Sequence, residues 1–291
     1  MDGGFSFCIR FSGISVRFSF PTELVLPDCY AALRCEDIQS PDQEYHIELL
    51  TTPLCPETDP VYQRGDATIY PTDKGWLRIY SALTAADGCQ VACLLRSDGK
   101  NTLYYPLSRW DHYQKYWHSA HLLGGEAILL RHNAFLLHSS VVLANGRTVL
   151  FSGPSGAGKS TQASLWEQYA GAEILNGDRC VVMKKEDGFY GGGSLWSGTS
   201  GIYRPEQAPI AGIVLVRQGP ENRLRQLGFD AFVPLFSQTT LNSWDPAFME
   251  AVSNLYVELL AQVPVYELEC RPCRDAVELV YRTLFYKEIT P

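Results

Sequence analysis

The sequence predicts an α/β domain over residues 109–291, preceded by a smaller β-rich domain over residues 1–108, and three observations carry that expectation. Up to about residue 105 the chain reads as strands and turns only. From Trp110 onward helical periodicity alternates with apolar, strand-like runs, the pattern of a mixed α/β layer structure. Between two of those runs lies a glycine-rich octapeptide, "GPSGAGKS", Gly153 to Ser160.

In the first region "YHIELL", "ATIYPTDKGWLRIYSAL" and "CQVACLLRSDGKNTLYYPL" are strand-rich. The second and third read as hairpins, with "TDKG" and "SDGK" supplying turn chemistry. Pro41, Pro53, Pro56 and Pro60 punctuate a loop-rich middle. No motif here attaches to chemistry.

"RWDHYQKYWHSAHLLGGEAILLRHN" reads as helix with a break at Gly124-Gly125. Its histidines, His112, His118, His121 and His132, lack the i, i+4 pairing beside an acid that marks a zinc helix, so a polar helix face is the simpler reading. Next, "FLLHSSVVLANGRTVLF" places two apolar strands around Asn145-Gly146, the strongest short hairpin signal. A two-residue turn there pairs residues whose numbers sum to 291, which sets His138 across from Gly153.

After the glycine-rich loop a helix is expected from Lys159 to about Tyr169. "EILNGDRCVVMKKEDGFYGGG" gives a short strand, an acid and a hairpin turning at Asp187-Gly188. "GSLWSGTSGIYRPEQAP" reads as loop and "IAGIVLVRQ" as a buried strand. "DPAFMEAVSNLYVELLAQ" opens with an Asp cap and Pro in the first turn, and repeats apolar residues at Phe248, Val252, Leu255 and Leu259. "VPVYELEC" is a strand. The closing helix, "PCRDAVELVYRTLFYKE", sets Ala276, Val280 and Leu284 on one face.

Composition narrows the function classes. A 291-residue chain with 46% hydrophobic and 19% charged residues can bury a sizeable core. A formal charge of −8 argues against a nucleic-acid partner held by a basic surface. No run approaches the ~18 apolar residues of a spanning helix. "MDGGFSFCIRF" lacks the basic start of a secretory signal, so a cytoplasmic protein with no membrane partner is expected. The nine cysteines are odd in number and scattered. Cys89/Cys93 and Cys270/Cys273 are read as core thiols rather than as one four-sulfur zinc site.

The octapeptide matches G-x-x-x-x-G-K-[ST] in full, and it follows an apolar strand and opens a helix, the context that motif requires. Glycines let successive backbone N–H groups turn inward as an anion nest, and the helix adds its positive end. Gly153, Pro154, Ser155, Gly156, Ala157, Gly158, Lys159, Ser160 and Thr161 are therefore the candidate nucleotide-binding residues. Lys159 would neutralise the β- and γ-phosphates, and the Ser160 hydroxyl would ligate Mg²⁺. Such loops also use an acid near the metal, and Asp178 is the nearest downstream; alternatively it caps the turn in "NGDR".

The chain contains no N-K-x-D, no D-x-x-G and no L-S-G-G-Q sequence, which sets aside common GTPases and transporter ATPases. The short distance from Lys159 to Asp178, and a loop strand that forms a hairpin with its predecessor, resemble the C-terminal domain of HPr kinase/phosphorylase and its relatives. The resemblance runs from about Ala134 to Val182 and weakens beyond, although "IAGIVLVRQGPENRLRQL" looks like a later strand of uncharacterised members. It implies a phosphoenolpyruvate-carboxykinase-like core. It also implies a histidine on the preceding strand, here His138, the loop lysine and serine, here Lys159 and Ser160, and two adjacent acids before the next strand. This chain departs at the last point: Asn176-Gly177-Asp178-Arg179 holds one acid.

Asp178, His138 and Lys159 are thus the expected catalytic residues, with Ser160 and Asp178 at the metal. Either Asp178 serves both the metal sphere and the acceptor proton, or His138 takes the proton. The expected activity is an ATP- and Mg²⁺-dependent kinase acting on a hydroxyl, plausibly serine, of a small molecule, peptide or protein. The alternative is a nucleotide-binding regulatory module without phosphoryl transfer. Ser197, Thr199 and Arg204 in the Leu195–Arg204 loop are candidate acceptor-facing residues, and an ordinary surface loop is the competing reading. The oligomeric state is left open, a homo-oligomer included.

Overall fold

The computed structural model describes residues 4–23, 25–64, 67–114 and 120–286. The chain divides into two compact units, Met1–Arg10 with Ile14–Ile128, and Phe11–Gly13 with Leu129–Pro291. That division falls some twenty residues beyond the change of composition near residue 108. The physical reason is aromatic packing. Trp110 and Tyr113 place their rings 5.5 Å from that of Tyr105 on the preceding strand, which keeps this helical turn with the first unit.

The first unit is built on β1 (Phe5–Phe11), β2 (Ile14–Phe20), β3 (Arg34–Cys35), β4 (Gln43–Leu50), β5 (Tyr62–Arg64), β6 (Ala67–Thr72), β7 (Gly75–Tyr80), β8 (Val91–Arg96) and β9 (Lys100–Pro106). These form one mixed sheet in the order β3-β1-β2-β4-β9-β8-β7-β6-β5. The β6–β7 and β8–β9 hairpins fall where the turn chemistry placed them. Short α-helices lie at α1 (Asp28–Leu33), α2 (Trp110–Tyr113), α3 (Ala120–Leu123) and α4 (Gly125–Arg131), with α4 running past the unit boundary. Gly124, at φ 59°, separates α3 from α4, a left-handed step that favours glycine. His118 and the side chain of His121 lie outside the described residues.

The second unit carries the long strand β10 (Ala134–Ala144), then β11 (Arg147–Ser152), α5 (Lys159–Ala170), β12 (Glu173–Asn176), β13 (Arg179–Lys185), β14 (Gly188–Gly192), β15 (Gln207–Gln218), β16 (Arg223–Leu227), α6 (Phe232–Phe236), α7 (Pro246–Gln262), β17 (Val265–Cys270) and α8 (Arg274–Phe285). Its sheet is mixed, ordered β11-β10-β13-β14-β15-β17-β16, with β12 on β10 and β11 also paired to β15. The strands β11, β15 and β17 run parallel. Their carboxyl ends, Ser152, Gln218 and Cys270, therefore point the same way, and such edges are where open α/β sheets bind ligands.

The β10–β11 hairpin has the register the Asn-Gly turn dictates: Ser139 pairs with Ser152 and Ala144 with Arg147. Asn145 and Gly146 both have positive φ, 50° and 71°, the backbone of a primed turn. The β13–β14 hairpin differs from expectation by one residue. Lys185 pairs with Gly188, so Glu186-Asp187 form the turn, and Gly188 follows it at φ 133°.

Strand alternation sends side chains to two separate cores. Val149 and Phe151 point one way with Val214 and Val216, onto Ala163 and Trp166 of α5 and Ala276, Val277 and Val280 of α8. Leu150, Ile213 and Leu215 point the other way, onto Phe248, Val252, Leu255 and Leu259 of α7. Asp245 caps α7 by accepting from the Phe248 N–H at 3.1 Å, worth about 1 kcal/mol. Trp166 is fully buried against Phe151, and its truncation to Ala would cost about 3–5 kcal/mol. This three-layer packing is what fixes the loop after β11 at the start of α5.

Candidate functional site

The glycine-rich loop occupies the six residues between Ser152 and Lys159. Gly153 and Gly158 take φ of 140° and 106°. At Gly153 a Cβ would also sit 3.1 Å from the Val216 carbonyl oxygen, so both backbone and space call for glycine there. Gln218 steadies the loop from β15 by donating its Nε2–H to the Gly156 carbonyl at 2.8 Å. Among the described residues no side chain caps α5, whose first-turn N–H groups remain available to an anion.

Lys159 is buried, and its Nζ donates to the carbonyls of Gly153 (2.9 Å) and Pro154 (3.1 Å). Burial lowers its pKa from the ordinary lysine value, opposed by the charge of Asp178. Ser160 and Thr161 are exposed on the first turn of α5.

Opposite stands the "NGDR" turn. Asn176 is fully buried at the end of β12, and its Oδ1 accepts from the backbone N–H groups of both Asp178 and Arg179 at 2.9 Å. Its Nδ2 donates to the Ser194 carbonyl at 3.1 Å. Ser140 Oγ donates to the Gly177 carbonyl, and the Ser139 N–H to that of Asp178. Asn176 is therefore a structural amide that fixes the turn, and a charge buried in its place among these bonds would be costly.

Asp178 is about one third exposed. Its Oδ1 lies 3.3 Å from His138 Nε2 and its Oδ2 3.5 Å from Arg179 Nε. The hydrogen bond from His138 lowers its pKa below the ordinary carboxylate value, against the effect of burial and helped by the charges of Arg179, His138 and Lys159. Asp178 is thus ionised at neutral pH. Arg179 donates in turn to Thr240 Oγ1 at 2.8 Å, and the backbone N–H of His138 to the Gln238 carbonyl at 2.9 Å. The structure brings His138, Asp178 and Lys159 into one electrostatic neighbourhood.

The Leu195–Arg204 loop reaches this acid by a route the sequence did not suggest. Gly198, at φ 57°, packs so closely that a Cβ would lie 2.8 Å from the Asp178 carboxyl carbon. Ser197 is buried and Thr199 exposed, whereas Arg204 pairs with Glu173 at 2.9 Å instead of serving the site. Residues that sequence reasoning missed, Arg179 on β13, Gln218 on β15, and Gln238 and Thr240 in the segment after α6, come from three separate places, and nothing local marks them.

Two cavities flank the loop. One of about 800 Å³ is lined by Gly153–Ala157, Arg225, Asp230 and Gln238. Another of about 550 Å³ is lined by Ala157, Gly158, Thr161, Gln162, Pro220 and Pro272. Neither is lined by His138 or Asp178.

The donor set also fits a magnesium ion. Mg²⁺ retains several waters and takes one or two protein oxygens together with phosphates. An exposed Ser160 hydroxyl and an ionised, partly exposed Asp178 supply such a pair. Cys89 and Cys93 are buried in the first unit, and Cys270 and Cys273 belong to the second; all four are free thiols. No helix among the described residues is long and apolar enough to cross a membrane.

No protein-family model and no curated protein sequence matches the chain. Among solved structures, the HPr(Ser) kinase/phosphatase from Coxiella burnetii is similar over 52% of this chain and 88% of its own, with 12% identity and a TM-score of 0.28. A likeness of that degree carries no argument about function. The class is set by the fold itself: a two-unit mixed α/β protein with a glycine-rich loop at the carboxyl edge of its parallel strands.

Proposed function

We propose that the protein is an ATP- and Mg²⁺-dependent phosphotransferase that moves the γ-phosphoryl group onto a hydroxyl of a small molecule, peptide or protein, plausibly a serine hydroxyl. The observation that carries this reading is the facing pair: a strand–glycine loop–helix with Lys159, and an ionised Asp178 close enough that each shifts the other's pKa. A phosphate nest alone would suit many nucleotide-binding proteins. A carboxylate beside it that also contacts a histidine suits proton removal from an acceptor.

The loop amides and α5 hold the triphosphate, and Lys159 exchanges its contacts to Gly153 and Pro154 for phosphate oxygens. Ser160, with Asp178 nearby, would hold Mg²⁺, which when bound would supply charge neutralisation to the phosphates. With Nε2 of His138 against Asp178, Nδ1 is the ring nitrogen left to face an acceptor. The acceptor hydroxyl loses its proton to His138 as its oxygen bonds the γ-phosphorus, and the bond from that phosphorus to the β–γ bridging oxygen breaks, releasing ADP. Asp178 stabilises the imidazolium that forms. Rate enhancement comes from positioning and charge, the two effects on which phosphoryl transfer depends.

One observation favours a second reading, a nucleotide-binding regulatory module. The turn Asn176–Arg179 holds a single carboxylate, Asp178, with glycine and arginine on either side of it. The deciding experiment is ADP release from Mg²⁺-ATP with and without a pool of free serine, small hydroxyl metabolites and serine-bearing peptides. Acceptor-stimulated ADP, lost in Asp178→Asn, supports the transferase. Nucleotide binding with no stimulation by any acceptor supports the regulatory module.

A further inference from the structure

The 550 Å³ cavity has a buried polar atom that the phosphate site does not use. Gln162 lies on α5 three residues after Lys159, is 2% exposed, and its Oε1 has no hydrogen-bond partner among the described residues. Buried carbonyl oxygens are almost always paired, so an orphan lining a cavity points to an absent donor. Its Nε2 donates to Cys270 Sγ at 3.2 Å, a weak acceptor that a better one can replace.

The surrounding walls are built rather than incidental. They come from the ends of the parallel strands, Gln218–Pro220 after β15 and Cys270–Pro272 after β17. The Gly219 N–H donates to the Cys270 carbonyl at 3.1 Å, and Asn222 Oδ1 accepts from the Arg271 N–H at 3.1 Å, so the two loops are tied to each other. Val216, Pro220 and Pro272 give the cavity apolar faces suited to a flat ring. Ala157, Gly158 and Thr161 of the phosphate loop and α5 form the remaining wall. A volume of about 550 Å³ lies within the usual range for small-molecule sites.

We infer that this cavity is the nucleobase site and that Gln162 selects adenine, an inference that rests on the nucleotide reading of the Gly153–Ser160 loop. An adenine edge offers an amino donor beside a ring-nitrogen acceptor, the complement of a carboxamide with a free oxygen and a displaceable N–H. The O6/N7 edge of guanine offers two acceptors and leaves Oε1 facing oxygen. The larger cavity, across the loop and lined by Gln238 next to His138, is then left for the acceptor.

The test is calorimetric titration of the full chain, wild type and Gln162→Leu, with Mg²⁺-ATP, Mg²⁺-GTP and inorganic tripolyphosphate, beside Lys159→Met. The inference predicts that wild type favours ATP over GTP by about tenfold, the discrimination one such hydrogen-bonded edge supplies. Gln162→Leu should lose that preference by weakening ATP about tenfold, while tripolyphosphate binds as before. Its melting temperature without ligand should be unchanged or higher, since an unpaired buried carbonyl is gone. ATP affinity and preference equal to wild type in Gln162→Leu, with binding abolished by Lys159→Met, would overturn the base site and leave the nucleotide reading standing. No binding of ATP or tripolyphosphate by wild type would overturn the nucleotide reading itself, and the base site with it.

Discussion

Arg78 and Glu126 meet 2.5 Å apart inside the first unit, 6% and 8% exposed, whereas Asp178 in the second stands 3.3 Å from His138 and 3.5 Å from Arg179, all three about one third exposed. The same kinds of charge are used in two ways. The first pair is short and out of water, so neither partner can be spared. The second cluster is longer, wetter and next to the glycine-rich loop. Its partners hold a carboxylate ionised without saturating it, which is the condition for meeting a ligand. Burial and slack together separate a charge committed to the fold from one still open to a ligand.

The comparison can be broken most directly at Glu126. Glu126→Ala should cost about 3–5 kcal/mol of unfolding free energy in a denaturant titration, because it leaves Arg78 buried without its carboxylate. Mg²⁺-ATP affinity should be unchanged where the protein is folded. Asp178→Asn is the mirror case. Transfer should fall on the order of 10²-fold in a steady-state assay, while stability at pH 7 changes by less than about 1 kcal/mol, as expected for a partly exposed pair. Equal stability losses for the two variants would erase the distinction.

The smallest effect concerns pH. The folded-state pKa of Asp178 lies below its ordinary value of 3.8, so its interactions contribute stability that is complete above about that value. The contribution is lost as pH falls through the lower, folded value. Acid unfolding curves of wild type and Asp178→Asn should therefore be parallel above pH 4 and converge below it.

Sequence legibility followed the same divide between local and distant causes. The hairpin register, and with it the position of His138, was readable because an Asn-Gly turn leaves little choice of pairing. The Asp-Pro start of α7 and its buried face were readable for a similar reason: capping and helical period are local. The burial of Asn176, the approach of Gly198 to Asp178 and the vacant oxygen of Gln162 were not readable, because each depends on segments that meet only after folding. For that reason too, the extent of the first compact unit was not readable. Composition changes where helix begins, but Trp110 and Tyr113 pack backward onto Tyr105.

The proposal that the Gly153–Ser160 loop holds a magnesium–nucleoside triphosphate through Lys159 is open to calorimetric titration of Mg²⁺-ATP into wild type and Lys159→Met. Wild type should show one site per chain that weakens when magnesium is withdrawn. Lys159→Met should lose the site at least on the order of 10²-fold, with an unliganded melting temperature equal to or above wild type, because a buried charge has been removed. Absence of binding in wild type, or equal binding in Lys159→Met, would contradict it.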